Sequence, residues 1–243
     1  VSACIIDTET TGLVEPEVIQ LATTQPLSDP GELYQPDISV SEQLFKPNKP
    51  ISIGAMATHH IIPDDLVDCA PWPGKWLPPD GIEYLIGHNV DYDWQAIGSP
   101  HVARIDTCAL ARATWPDLDS YGLGALIYYL SPKDLARDKL KSAHNARHDV
   151  MLCLFVLLEL LKCIPGMASW HQIWQASEKA RIPIRMGFGK YGPHEAWAKA
   201  NGGAMRCAEV RTYDAGYYRW LLTSCDQVQK DPYLRKALTG ESA

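Results

Sequence analysis

The sequence contains no Cys-x-x-Cys pair. Its seven cysteines, at positions 4, 69, 108, 153, 163, 207 and 225, fall in no metal-finger spacing, which excludes a structural zinc of that kind. An odd, scattered set builds no disulfide framework either, and is the usage of a reducing compartment. No long apolar run is present. The longest, 150 to 158, leads into Glu159 and Lys162 and is too short to cross a bilayer. The start shows no basic segment followed by an apolar core and a cleavage site, so the expected location is the cytoplasm or nucleoid, with no membrane partner. Positive charge is in deficit, with 22 Lys and Arg against 29 Asp and Glu and a formal net charge of -7. That balance removes the simplest sign of nucleic-acid binding but leaves room for a local basic track. Internal repeats and low-complexity tracts are missing too. What is there is 243 residues, 46% hydrophobic and 21% charged, enough for one sizeable globular domain and a small appendage.

The most informative stretch is Cys4-Ile5-Ile6-Asp7-Thr8-Glu9-Thr10-Thr11-Gly12. An apolar strand runs into two carboxylates spaced i, i+2, which a strand points to the same face. Two anions held side by side repel unless one is protonated or a cation sits between them. Hard, oxygen-liganded ions such as Mg²⁺ or Mn²⁺ suit such a pair.

Along the chain, 17 to 24 and 38 to 45 read as further strands around a loop from Pro26 to Pro36, and 53 to 60 and 63 to 67 as short helices. The proline-rich segment 70 to 80 is a loop that Trp72 and Trp76 pack down. Ile82 to Ile86 is a short apolar strand leading into His88-Asn89-Val90-Asp91-Tyr92-Asp93. Val102 to Ile105 is the next strand, and Asp106 caps the helix that follows. Residues 121 to 130 form a helix, 133 to 148 a basic loop, and 149 to 161 the most apolar helix. Strands first, then strands interleaved with helices, predict an α/β fold. A composition shift after Pro165-Gly166 divides the chain into a domain over 1–165, a linker or helix over 166–182 and a small C-terminal module over 183–243.

Two more acidic positions join the pair. Asp93 sits near a helix start beyond a strand; Asp91 is its rival, and residues two apart on a helix cannot both face one site. Asp149 heads the apolar helix, with His144 five residues earlier. Four carboxylates and a histidine are what two-metal phosphodiester hydrolysis needs, the imidazole taking the proton from the attacking water.

Asp7-Thr8-Glu9-Thr10-Thr11-Gly12, His88-Asn89-x-x-Tyr92-Asp93 and His144-x-Ala146-x-x-Asp149, in this order, resemble the three motifs of the DEDDh family of 3′–5′ exonucleases. The resemblance implies a ribonuclease H-like fold, here a mixed five-stranded sheet flanked by helices. It assigns Asp7, Glu9, Asp93 and Asp149 to two Mg²⁺ ions, which Mn²⁺ can replace, and His144 to general-base catalysis. It places Thr10, Thr11, Gly12 and Leu13 along the 3′-terminal nucleotide, with Leu13 as an apolar wedge and His59 and Asn89 as further substrate contacts. The implied activity is release of nucleoside 5′-monophosphates from DNA 3′ ends, single-stranded or duplex, in DNA repair or recombination. The alternatives are an RNA-trimming exonuclease and a nucleic-acid-binding or polymerase-associated proofreading subunit. Arg137, Lys139, Lys141 and Arg147 are either a phosphate-steering track or the solvated face of a loop. Tyr92 reads as packing. In the tail, Lys190 and Arg219 are candidate nucleic-acid contacts, and 192 to 203 looks like an insertion.

Overall fold

In a computed structural model, which describes residues 1–35 and 37–240, the chain lays down five strands. They are β1 (Ser2–Thr10), β2 (Val18–Thr24), β3 (Val40–Leu44), β4 (Ile82–Gly87) and β5 (Ala103–Asp106). Their order across the sheet is β3-β2-β1-β4-β5. The first three pair antiparallel, whereas β4 and β5 run parallel to β1. This is the mixed five-stranded α/β sheet expected, with the Asp7–Glu9 strand at its centre. Apolar neighbours cover β1 on both sides, which is why Ala3 to Ile6 are sealed from water.

Helices flank the sheet: α1 (Ile53–His59), α2 (Asp91–Ala96), α3 (Thr107–Thr114), α4 (Leu123–Leu130), α5 (Lys133–Lys139), α6 (Ala146–Cys163) and α7 (Trp170–Ala180). The longest, α6, packs on β1, β2 and β3. Asn145 caps it by accepting from the His148 amide, and the chain leaves it at Ile164, where Pro165 disfavours further helix. Val150, Cys153, Val156, Leu157 and Leu160 form its buried face, at the three- and four-residue spacing that makes one stripe. Each large aliphatic there contributes about 1.5–3 kcal/mol of burial, so Leu157→Ala would cost roughly 2–5 kcal/mol.

The basic segment expected as a loop is mostly helical. Residues 133–139 form α5 and 140–142 a 3-10 turn, because Ala136 is buried and Asp134–Arg137 and Asp138–Lys141 pair one turn apart. The expected 26–36 loop contains a 3-10 turn at Pro30–Tyr34 capped by Asp29. Its last residue, Pro36, and residues 241–243 of the expected C-terminal module lie outside the described residues. Trp72 is buried edge-on against Phe45, with Trp76 packed on the same cluster.

The chain divides into two compact units, 1–177 and 178–243, the division falling inside α7. The second unit contains α8 (Ala196–Asn201), α9 (Cys207–Tyr213), α10 (Ala215–Ser224), α11 (Asp226–Lys230) and α12 (Pro232–Thr239). Its core includes Met186, Tyr191, Met205, Val210, Leu221, Val228 and Leu234. The segment that looked like an insertion holds α8, whose Trp197 meets Tyr191 edge to face. All seven cysteines are free thiols; Cys163 is exposed, Cys69 partly so, and the other five are buried. Among the described residues no helix is long and apolar enough to cross a membrane.

Candidate active site

Strand β4 stops pairing with β1 at Ile86, opposite Ile5, so the edge of β1 beyond that point is open. Asp93, buried in the first turn of α2, fills it. One carboxylate oxygen accepts from the Thr8 amide at 2.9 Å and from the Thr8 hydroxyl at 2.7 Å. On the other side of β1, Glu9 lies in register with Gln20 of β2. Gln20 is buried; its side-chain carbonyl accepts from the Ala146 amide at 3.0 Å, and its amide donates to Glu42 at 2.6 Å. Gln20 thus fixes the start of α6 against the sheet and places Asp149, in its first turn, toward Asp7 and Glu9. A polar residue inside the apolar run Val18–Ala22 is the signal in the sequence that would have pointed to it.

Asp7, Glu9 and Asp149 each offer a carboxylate oxygen within 4.8 Å of the others. Asp93 stands beside this trio with one oxygen held by Thr8. Among the described residues no Lys or Arg forms an ion pair with any of the four. The energetic result is visible in their acidities. Burial, then Asp93, Asp149 and Glu9, push Asp7 well above the usual carboxylate range. Burial, then Asp149 and Asp93, raise Glu9 to about 8. Burial raises Asp93 to about 7, against the pull of the Thr8 hydrogen bonds. Burial also raises Asp149, opposed by His144 and His148. Four crowded carboxylates without an internal cation form a donor set that fits hard divalent ions.

His144 is exposed, with a left-handed backbone (φ 63°), and its amide donates to Asp149 at 3.1 Å. The amide bond holds the loop to the cluster while the imidazole faces solvent. It borders a groove of about 480 Å³ whose lining includes His59, His60, Lys141, Arg147 and His148. The His148 ring instead bonds the Lys139 carbonyl.

A second groove, about 410 Å³, opens beside Glu9 and is lined by Thr10, Gly12, Leu13, Ser52, His59 and Tyr92 among others. Of the expected substrate contacts it brings together Thr10, Gly12, Leu13 and His59. The Thr11 hydroxyl turns away to accept from the Glu17 amide. Asn89 is exposed, its amide bonded to Asp106, and is not among the residues lining that groove. Leu13 is 85% exposed. Gly12 has φ 149°, and a Cβ there would lie 3.0 Å from Ser52 Oγ, so the turn favours glycine. The Tyr92 hydroxyl is more than packing: it lies 2.6 Å from the Thr10 hydroxyl, and each lies 3.1 Å from the Gly12 carbonyl, so one donates to that carbonyl and the other donates to its neighbour's oxygen. His59 is buried; Nδ1 accepts from the Ile61 amide and Nε2 faces the Thr10 carbonyl at 3.3 Å, which fixes the tautomer. Burial lowers its pKa. Asp91, the rival of Asp93, pairs with Arg104 at 2.6 Å.

The basic residues of 133–147 are tied to neighbours. Arg137 and Lys141 pair with carboxylates one turn away, Lys139 lies over the Phe155 ring, and Arg147 donates to the Val40 carbonyl.

No family model matches the chain. It is 26% identical over 235 residues to exodeoxyribonuclease 10 of Escherichia coli strain K12, covering 96% of both chains, and equally so to the protein of the same name in strain O6:H1. Among solved structures it resembles exonuclease X in complex with 5′-overhanging duplex DNA. The match is 26% identical with a TM-score of 0.55, and covers 72% of this chain and 99% of that one. The chain is therefore a homologue of exodeoxyribonuclease X with the same ribonuclease H-like fold.

Proposed function

Proceeding from that homology, we propose that the protein is a 3′–5′ exodeoxyribonuclease that hydrolyses the terminal phosphodiester of DNA to nucleoside 5′-monophosphates. The observation that carries this reading is the meeting of Asp7, Glu9 and Asp149 within 4.8 Å beside a groove that ends on an exposed leucine. These three carboxylates and Asp93 would hold two Mg²⁺ ions, or Mn²⁺ in their place, which would supply positive charge against the phosphate and acidify the attacking water.

The chain's own residues do the rest. Leu13, projecting into solvent at the mouth of the groove, presses an apolar face against the last base. The Thr10–Tyr92–Gly12 hydrogen bonds hold that turn in one conformation, which limits the entropy lost when the strand docks. The neutral His59 ring steadies the Thr10 carbonyl at the end of the motif strand. His144 is the proton acceptor: its imidazole is free to swing over the scissile phosphate, while its backbone stays anchored to Asp149. A histidine suits that step because its ordinary pKa lies near neutrality.

The test is incubation of 5′-labelled single-stranded DNA with Mg²⁺, with and without EDTA, beside Asp149→Ala and His144→Ala. A ladder shortening from the 3′ end, dependent on metal and on Asp149, supports the reading. An intact label under Mg²⁺ and under Mn²⁺ overturns it. A matched RNA strand in parallel decides between DNA degradation and RNA trimming.

A further inference from the structure

The two units differ sharply in charge. Residues 1–177 carry 11 Lys and Arg against 22 Asp and Glu, whereas residues 178–243 carry 11 against 7. The net of -7 is thus a unit at -11 followed by one at +4. A polyanion is repelled over roughly a Debye length, about 8–10 Å, by the first and attracted by the second. Ion pairs occur in both units: Lys49–Glu15, Arg104–Asp91, Arg137–Asp134, Lys141–Asp138 and Lys162–Glu159 in the first, and Arg181–Glu178, Lys190–Asp214 and Lys230–Asp226 in the second.

The second unit also presents an aromatic surface. On α10, Tyr217 and Trp220 stack nearly parallel, 19° apart with ring centroids 5.5 Å from each other. Tyr217 meets Tyr191 edge to face, and Tyr191 meets Tyr213 in the same way. The series ends in solvent on both sides, with Tyr213 63% and Trp220 47% exposed. Cations border it. The Lys190 ammonium lies 5.2 Å from the Tyr191 ring and 5.8 Å from the Tyr217 ring. Arg211 of α9 lies 6.0 Å over Tyr218, and Arg219 precedes Trp220. Arg211 and Arg219 are both exposed, and neither has an ion pair among the described residues.

Resting on the nuclease reading above, we propose that this surface binds single-stranded DNA, with Trp220 as the stacking partner of an unpaired base and Arg219 and Arg211 on the adjoining phosphates. An exposed ring already stacked on its inner face offers its outer face to a base, and only a base out of the duplex can take it. Exposed guanidinium groups on α9 and α10, the helices that carry Tyr213 and Trp220, supply the sequence-independent attraction that such binding needs. The unit then acts as the DNA tether of an enzyme whose other unit repels DNA until metal is bound.

The experiment is titration of the full-length protein, in EDTA so that nothing is cleaved, with a labelled single strand of about 20 nucleotides at several salt concentrations. Stacking of one base on an aromatic ring predicts that Trp220→Ala weakens binding roughly 5- to 100-fold, while Trp220→Phe retains most of the affinity. Arg219→Gln should flatten the slope of log affinity against log salt by about 0.7. Both positions are exposed, and equal melting temperatures for the variants show that the fold is kept. Unchanged affinity in Trp220→Ala together with an unchanged salt slope in Arg219→Gln overturns the proposal, as does a wild-type protein that does not bind the strand without metal. A protein that shortens DNA yet binds it equally well with Trp220→Ala loses the platform and keeps the nuclease; one that binds through Trp220 but never cleaves does the reverse.

Discussion

The carboxylates of the first unit and Asp214 of the second are both gathered by tight local structure, yet their surroundings are opposite. Asp214 accepts from the Lys190 ammonium at 2.6 Å, the Tyr191 hydroxyl at 2.8 Å and the Tyr217 amide at 2.9 Å. Lys190 first, then these hydrogen bonds, hold its pKa well below the ordinary value. Burial raises the pKa of Asp7, Glu9, Asp93 and Asp149, and neighbouring carboxylates of the cluster raise Asp7 and Glu9 further. A carboxylate that serves the fold has its lone pairs filled by its own chain. The carboxylates of the first unit are kept short of positive charge, a local cost in stability that makes sense where a ligand completes the site.

The comparison is broken most strongly by neutralising the crowded cluster. Asp149→Asn should reduce cleavage by at least ~10³-fold, about 4 kcal/mol of barrier, and should raise the melting temperature of the metal-free protein. In a chain of this size each kcal/mol of relieved repulsion is worth roughly 2–4 °C. A variant that is both inactive and less stable in EDTA would contradict the picture of mutual repulsion. In the second unit the sign reverses: Asp214→Asn should lower the melting temperature. Gly189→Ala should lower it too, the left-handed backbone alone costing roughly 1–2 kcal/mol of stability, since Gly189 has φ 66° and an added Cβ would collide with the Tyr217 hydroxyl.

Acidity separates the two clusters without mutation. Glu9, raised to about 8, and Asp93, raised to about 7, bind protons in the folded state that the unfolded chain releases near pH 4. Their stabilisation is complete below that pH and is lost as pH climbs through 7 and 8, so in EDTA the melting temperature should fall over this window. Added Mg²⁺ should oppose the fall, most at the alkaline end. Asp214 behaves inversely: its contribution is present at neutral pH and begins to be lost as pH falls below the ordinary carboxylate value of about 4, where the unfolded chain takes up a proton. Melting curves from pH 3 to 9, with and without metal, would display both slopes. The smallest effect is expected from Tyr92→Phe, which removes a hydroxyl worth roughly 0.5–1.5 kcal/mol and should raise KM for a DNA 3′ end more than it lowers kcat.

The sheet was legible because its strands are apolar runs bounded by turns, and the carboxylate pair because spacing alone puts Asp7 and Glu9 on one face. Asp93 and Asp149 required the order of three motifs, since neither has a local pattern that predicts its partners. The sequence was silent where a residue acts over a long separation. Gln20 looks like an interruption of a strand until the Ala146 amide, 126 positions away, is seen to need its oxygen. Tyr92 looks like packing until its hydroxyl reaches Thr10 and Gly12. The α5 helix was missed because its support is the burial of Ala136 and two short-range ion pairs, which weigh little in a segment dominated by charge. The charge division between the units was hidden by the whole-chain net, which averages it away.

The seven unpaired thiols give the molecule a built-in clock. Cys163 is open to solvent and would react with a thiol reagent at once, and Cys69 more slowly. Burial pushes Cys4 up to about 12 and Cys108 and Cys207 to about 11, and Cys153 higher still, so these sulfurs stay protonated and unreactive until the structure around them opens. Cys4, Cys108 and Cys153 would then time the opening of the first unit, and Cys207 and Cys225 that of the second. Brief alkylation followed by peptide mass measurement would thus read two separate opening free energies from one unlabelled chain.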